Sequence, residues 1–202
     1  MSWTISHRWQ QRASIPGVVH FPQPWTTGTP EEVAINVVQN HWWARGDWRD
    51  DNWRLFLAVF HEGTVIGQQN LSARHFHTTR EARTGCWLGQ RFQRRGFGTQ
   101  MRTAALDFAF QFLGAVRTTS TAFADNAGSR QISKKLGYAP NGIRRLAVEG
   151  RRLTEAHESA ITKEQWLSGR QHTTVVGGFG GCRHMFGIPP TPTSSVDVIL
   201  HV

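Results

Sequence analysis

Apolar and polar residues along this chain repeat with two different periods, and each change of period marks an element. Thr29-Pro30-Glu31-Glu32 has the form of a helix start, with a threonine placed to cap, a proline at the first helical position and acids in the first turn. The pattern predicts a helix to about Arg45 that buries Val33, Val37 and Val38 and is ended by Gly46 and Asp47. Arg54 to Phe60 reads as a strand, His61-Glu62-Gly63 as a turn, and Thr64 to Gly67 as the start of the hairpin partner. A third strand covers Thr84 to Gly89. The spacing then changes: Met101, Ala105, Phe108 and Phe112 fall on one face of an amphipathic helix from about Phe97 to Leu113, with Gly114 as its cap. Val116 to Ala124 is a strand and Asn126 to Leu136 a helix stopped by Gly137. Ile143 to Val148 and Leu153 to Ile161 form a hairpin around Glu149-Gly150, and Thr162-Lys163-Glu164-Gln165 resembles a capping box that opens a short helix.

The expected order is helix, three strands, helix, strand, helix, two strands. That implies an α/β or α+β domain with a mixed, mostly antiparallel sheet and flanking helices. The expected organisation is one domain over residues 1–169, with 1–29 an irregular leading segment in which Val18 to Phe21 is extended. A Gly/Pro-rich extension follows over 170–202 and either wraps the domain or hangs from it. With 202 residues the chain is long enough for one core and short for two.

Charge narrows the partners. The net charge is +9 and the isoelectric point about 11.1, so the surface attracts polyanions, whether nucleic acid, anionic membrane or a phosphorylated ligand. Arg91, Arg94 and Arg95 flank a glycine loop, which favours the phosphorylated ligand. No stretch resembles a nucleic-acid-binding module, and no apolar run is long enough to cross a bilayer. The N-terminus does not read as a signal peptide, so a cytoplasmic protein is expected. Cys86 and Cys182 belong to no Cys-x-x-Cys pair and are expected to be free thiols. His75-Phe76-His77 would put two imidazoles on one strand face, but without a third ligand no metal site is expected.

The loop Gln93-Arg94-Arg95-Gly96-Phe97-Gly98 lies between an apolar strand and an amphipathic helix. The first amides of a helix are unpaired and carry partial positive charge, and glycines let a phosphate come close to them. No Gly-Lys-Ser/Thr follows, which excludes a Walker loop. Position 101 is Met where a dinucleotide loop of the Rossmann type has its third glycine.

Gln93-x-x-Gly96-x-Gly98 resembles the [QR]-x-x-G-x-[GA] signature of the GNAT acyltransferases. Asn126-x-x-Ser129, with Lys135-Leu136-Gly137-Tyr138 after it, resembles the N-x-x-S and K-L-G-[FY] segments of the RimJ/RimL-type branch, and Ile161 to Trp166 is also similar to that branch. The resemblance spans Thr29 to Trp166. Gly178-Phe179-x-x-Cys182-Arg183-x-x-Phe186-Gly187 is similar to a tail found in an actinobacterial subgroup assigned succinyl transfer. The family's opening T-x-R-L-x-L-R strand has no match before Pro22, so that strand is either absent or built from Val18 to Phe21.

The resemblance implies an acyl-CoA-dependent N-acyltransferase moving an acetyl or related group, succinyl included, to a primary amine on a protein or a small molecule. It implies splayed central strands with the pantetheine arm between them. Leu88 would pair with the arm, and the amide of Leu88 or Gly89 would polarise the acyl carbonyl. Gln93 belongs to the signature, and the amides of Arg94, Arg95, Gly96, Phe97, Gly98 and Thr99 would hold the pyrophosphate. Asn126 and Ser129 would contact the arm. Ser133 stands where relatives carry a tyrosine that protonates the departing thiolate, and this departure motivates a second reading, a non-catalytic acyl-CoA-binding module. For the base, Glu155 is the first candidate and Glu149, His75 and His77 are others. Arg130 or Arg144 would pair with an acidic acyl group. The tryptophans, Trp42, Trp43, Trp48, Trp53 and Trp87 among them, either wall an acceptor pocket or pack the core. A homodimer is expected from the family.

Overall fold

A computed structural model describes residues 28–147, 153–169 and 174–189. Helix α1 spans Pro30–Gly46. Its start is a reciprocal capping box: Glu32 N donates to Thr29 Oγ1 at 3.3 Å, and Thr29 N donates to Glu32 Oε2 at 2.7 Å. Val33 is buried as expected, but Val38 is 40% exposed, because α1 lies along one sheet face and touches it with only a narrow stripe. Strands β1 (Asn52–His61) and β2 (Thr64–Arg74) form a hairpin closed by Glu62 (φ 49°) and Gly63 (φ 71°), both left-handed, as a two-residue turn of this kind requires. One extra residue of β2, Ile66, bulges between the Val59↔Gly67 and Phe60↔Val65 pairs.

A single helical turn, Phe76–Thr79, leads into β3 (Glu81–Leu88). This corrects the reading of His75-Phe76-His77 as a strand face. Helix α2 runs over Phe97–Asp107 and continues as a π turn through Phe112, where the sequence pattern had one uninterrupted α-helix. It is followed by β4 (Arg117–Phe123), α3 (Ala127–Lys135), β5 (Ala139–Ala147), β6 (Leu153–Thr162) and α4 (Lys163–Gly169). Thr162 and Gln165 cap α4 reciprocally, as their spacing predicts.

The six strands form one open sheet in the order β1-β2-β3-β4-β6-β5, antiparallel except for the β3/β4 pair. This is the mixed, mostly antiparallel sheet expected. α1 covers one face, where His41 meets Gln68 and Phe56. α2 covers the other, packing Ala105, Leu106, Ala109 and Phe110 against Trp53, Leu71 and Ala82. Residues 174–189 wrap onto this second face, and Val176, Phe179 and Phe186 complete the core. Trp53 is buried at its centre and stacks with Trp48, so these two rings pack the core. The predicted turn at Glu149-Gly150 and the extended stretch Val18 to Phe21 lie outside the described residues. Among the described residues no helix is long and apolar enough to cross a membrane, Cys86 and Cys182 are free, and no three His, Cys, Asp or Glu side chains gather as a metal site.

Candidate active site

The β3/β4 pairing ends early. Glu81–Thr84 pair with Arg117–Ser120, after which Gly85–Leu88 pair with β2 and Thr121–Phe123 with β6. The two central strands therefore diverge and leave a gap open toward their C-terminal ends. Just before they part, the buried Tyr138 hydroxyl lies 3.2 Å from both Thr84 Oγ1 and Thr118 Oγ1 and so bridges the two strands.

Hydrogen-bond alternation decides what faces this gap. Gly89 N donates to Ile66 O at 2.9 Å, so the neighbouring Leu88 sits between ladder bonds, with its N–H and C=O turned away from β2 and into the gap. Of the two amides the sequence offered as donors to an acyl oxygen, that of Gly89 is therefore taken by Ile66, and that of Leu88 faces the right way. Gln93 Nε2 donates to Leu88 O at 3.0 Å, which ties the glycine loop to the gap's edge.

At the mouth of the gap the loop turns through Arg94 (φ 58°) and Gly96 (φ 89°) into α2. A Cβ at Gly96 would meet nothing within 4 Å, so its side is open. A Cβ at Gly98 would come within 2.8 Å of Ile132 Cδ1 and 3.5 Å of Leu88 Cδ1, so a glycine here lets β3, α2 and α3 close together. The amides of Phe97 and Gly98 lack intrahelical acceptors by their position, while those of Thr99 and Gln100 bond Gly96 O at 3.0 and 3.1 Å. Arg91, Arg94 and Arg95 are exposed around this helix end, with Arg95 over the Phe97 ring at 5.3 Å. The result is a cationic lip above open backbone donors.

The far wall is α3. Asn126 caps it, accepting from Ser129 N at 3.1 Å. Ser133 is 5% exposed, and its hydroxyl donates to Ser129 O at 3.2 Å. It also accepts from Arg102 Nη1 at 2.9 Å. The sequence reading missed Arg102. Its signal was available: Gly98, Arg102, Ala105 and Ala109 share one face of α2, the face that turns inward.

The other candidates are scattered over the fold. Glu155 is exposed, and its carbonyl accepts from Ala124 N at 3.0 Å beyond the end of β4. Alternation along β6 puts it on the face of Ser159, opposite to Glu158. His75 and His77 lie between β2 and β3, at the end of the sheet away from the gap, beside Asp51 and Asp50. Glu149 lies outside the described residues. Arg144 pairs with Glu158 at 3.3 Å, and Arg130 is exposed on α3. Trp42 and Trp43 are exposed on α1, where Trp43 lies under Arg54 at 3.6 Å.

A separate cavity of about 510 Å³ lies between β1, α2 and residues 176–186. None of the residues expected to bind CoA lines it. The backbone donors, the loop and the buried hydroxyls converge instead at the gap.

Known proteins share this fold. A profile of the family described as acetyltransferase (GNAT) domain matches residues 4–139. Among solved structures, Mycobacterium smegmatis RimJ in complex with CoA-disulfide is similar at 18% identity and TM-score 0.62, over 90% of this chain and 77% of that one. RimL, a ribosomal L7/L12 alpha-N-protein acetyltransferase in complex with coenzyme A, is similar at 16% identity and TM-score 0.58, over 77% of this chain and 81% of that one. A chimera of the spermidine N-acetyltransferase SpeG from Vibrio cholerae and hSSAT is similar at 17% identity and TM-score 0.58, over 81% and 90%.

Proposed function

The chain belongs to the GNAT acetyltransferase family and is an acyltransferase of that type, and on that footing we propose that it moves an acetyl or related acyl group from CoA to a primary amine in the gap between β3 and β4. The observation that carries this reading is the early end of β3/β4 pairing at Thr84 and Ser120, with an open helix N-terminus at the mouth of the gap it leaves.

The amides of Phe97 and Gly98, with Arg94 and Arg95 adding charge, bind the pyrophosphate. The pantetheine arm extends the edge of β3 at Leu88, with Asn126 and Ser129 on its other side. A neutral amine attacks the thioester carbon. The Leu88 N–H donates to the oxygen as it gains charge, and such a fixed donor is commonly worth about 10²–10³ in rate. The C–N bond forms, the C–S bond breaks, and the electron pair leaves on sulfur. The amine loses its proton to a base, for which Glu155 is the sequence candidate and Glu158, on the opposite face of β6, is a second one supplied by the fold.

RimL is a ribosomal L7/L12 alpha-N-protein acetyltransferase and SpeG a spermidine N-acetyltransferase. A surface of charge +9 repels a polycationic acceptor, which favours a protein N-terminus or a neutral or acidic amine. Succinyl is the finer donor proposal, motivated by the arginines near the gap. Turnover of acetyl-CoA and succinyl-CoA, each with a panel of N-terminal peptides and polyamines, tests both choices. Turnover with spermidine alone would contradict the acceptor choice, and equal use of the two donors would remove the case for succinyl. One observation favours the non-catalytic reading: the Ser133 hydrogen is already engaged by Ser129 O. CoA binding with no turnover on the whole panel would decide for it.

A further inference from the structure

Arg102 is the most fully buried cation among the described residues. It is 1% exposed, and no carboxylate among the described residues lies within ion-pair distance of it. Its Nη1 donates to Ser133 Oγ at 2.9 Å, and its Nη2 reaches Cys86 Sγ at 3.3 Å and Ser129 Oγ at 3.4 Å. Its Nε is buried with no partner. The guanidinium therefore spans from β3 to α3, one turn of α2 below Gly98, and floors the gap at the level of Cys86 and Ser133.

Burying a cation without a counter-charge is costly, and proteins seldom keep one without a use. Burial works against the charge of Arg102, and only at the high pH where it would titrate do ionised Cys86 and Tyr138 favour it and hold it above its ordinary value. Tyr138 is itself pushed up by burial, so at neutral pH it is an uncharged phenol and offers no anion. Arginine does not deprotonate to escape this position. What the site lacks is an anion.

We propose that Arg102 is a positioning residue that, through Ser133 Oγ, stabilises the CoA thiolate as it leaves. This rests on the functional reading above. With the serine oxygen held by Arg102, the Ser133 hydrogen is free to turn from Ser129 O toward the sulfur without losing its anchor. Arg102 keeps its proton, the sulfur keeps the electron pair of the broken C–S bond, and the thiolate takes a proton from solvent on release. A tyrosine acid is then unnecessary, because the leaving group is held as an anion rather than protonated in place.

The test is a pH titration of thiolate absorbance in the CoA complex, with the desulfo-CoA complex subtracted to cancel Cys86 and Cys182. The bound thiol is expected to ionise at least about one pH unit below free CoA, the order of shift a neighbouring cation causes. Arg102→Met should return it toward the free value and lower kcat by about 10²-fold with KM for acyl-CoA little changed, Ser133→Ala should do the same in part, and Arg102→Lys should restore part of the shift. An unmoved titration in Arg102→Met or Ser133→Ala protein that still binds CoA overturns the inference alone. Failure of the wild-type protein to bind CoA removes the functional reading and this inference together.

Discussion

The buried Tyr138 and the half-buried His41 each invite a single-residue test on stability. Tyr138 holds the last paired rungs of β3 and β4 together through Thr84 and Thr118. Tyr138→Phe keeps the ring and leaves both hydroxyls to find other partners, so it should cost about 1 kcal/mol in urea unfolding. A loss near zero would mean the bridge does not hold the strands. His41 is lowered from its usual 6.5 by burial, against the hydrogen bond to Gln68 and with help from Arg45. The unfolded chain therefore takes up this proton at a higher pH than the folded one. This part of the stability is present above about pH 6.5, falls as pH drops below it, and levels off under the folded value. Thermal melts across that window should show the fall, and His41→Gln should flatten it. At this scale the sequence was partly legible. The glycine loop and the Thr29 cap were readable because backbone requirements select glycine and small hydroxyl residues. Arg102 was missed because a lone arginine in a helix reads as surface, although its place on the face of Gly98, Ala105 and Ala109 marked it as inward.

The elements were legible wherever one period held over a whole segment, as in β1, β6 and α4 with its cap. Misreadings arose where tertiary contacts override local pattern. The π turn at Phe108–Phe112 shifts Phe108 and Phe112 so that both rings meet Phe179, a residue far along the chain that no local period foretells. The same distant segment is fastened at Asp107, which is fully buried: Oδ1 accepts from Trp166 Nε1 and Oδ2 from Thr174 N, each at 2.9 Å. One carboxylate thus joins α2 to α4 and to the start of the C-terminal wrap. Asp107→Ala strands two donors and should lower stability by about 3 kcal/mol. Amide exchange should report the loss at α4 as well as in α2; protection lost in α2 alone would show that the carboxylate does not couple the two.

For the whole molecule, the fold brings a cationic helix end, an open strand edge and buried hydroxyls to one gap, although the residues involved are spread from Cys86 to Ser133. The net charge of +9 should speed the arrival of an anionic cofactor, and added salt should slow association more than dissociation. The central claim is that CoA binds at the N-terminus of α2 and lies in the β3/β4 gap. Calorimetric titration of the purified chain with CoA, alongside Gly96→Glu protein shown to be folded by circular dichroism, tests it most directly. Gly96 has a left-handed backbone and an open side, so glutamate there adds strain and sets a carboxylate where phosphate must approach. The account predicts saturable binding to the wild type and a loss of at least about tenfold in the variant, equal to about 1.4 kcal/mol. No binding to the wild type, or equal binding to both proteins, would contradict it.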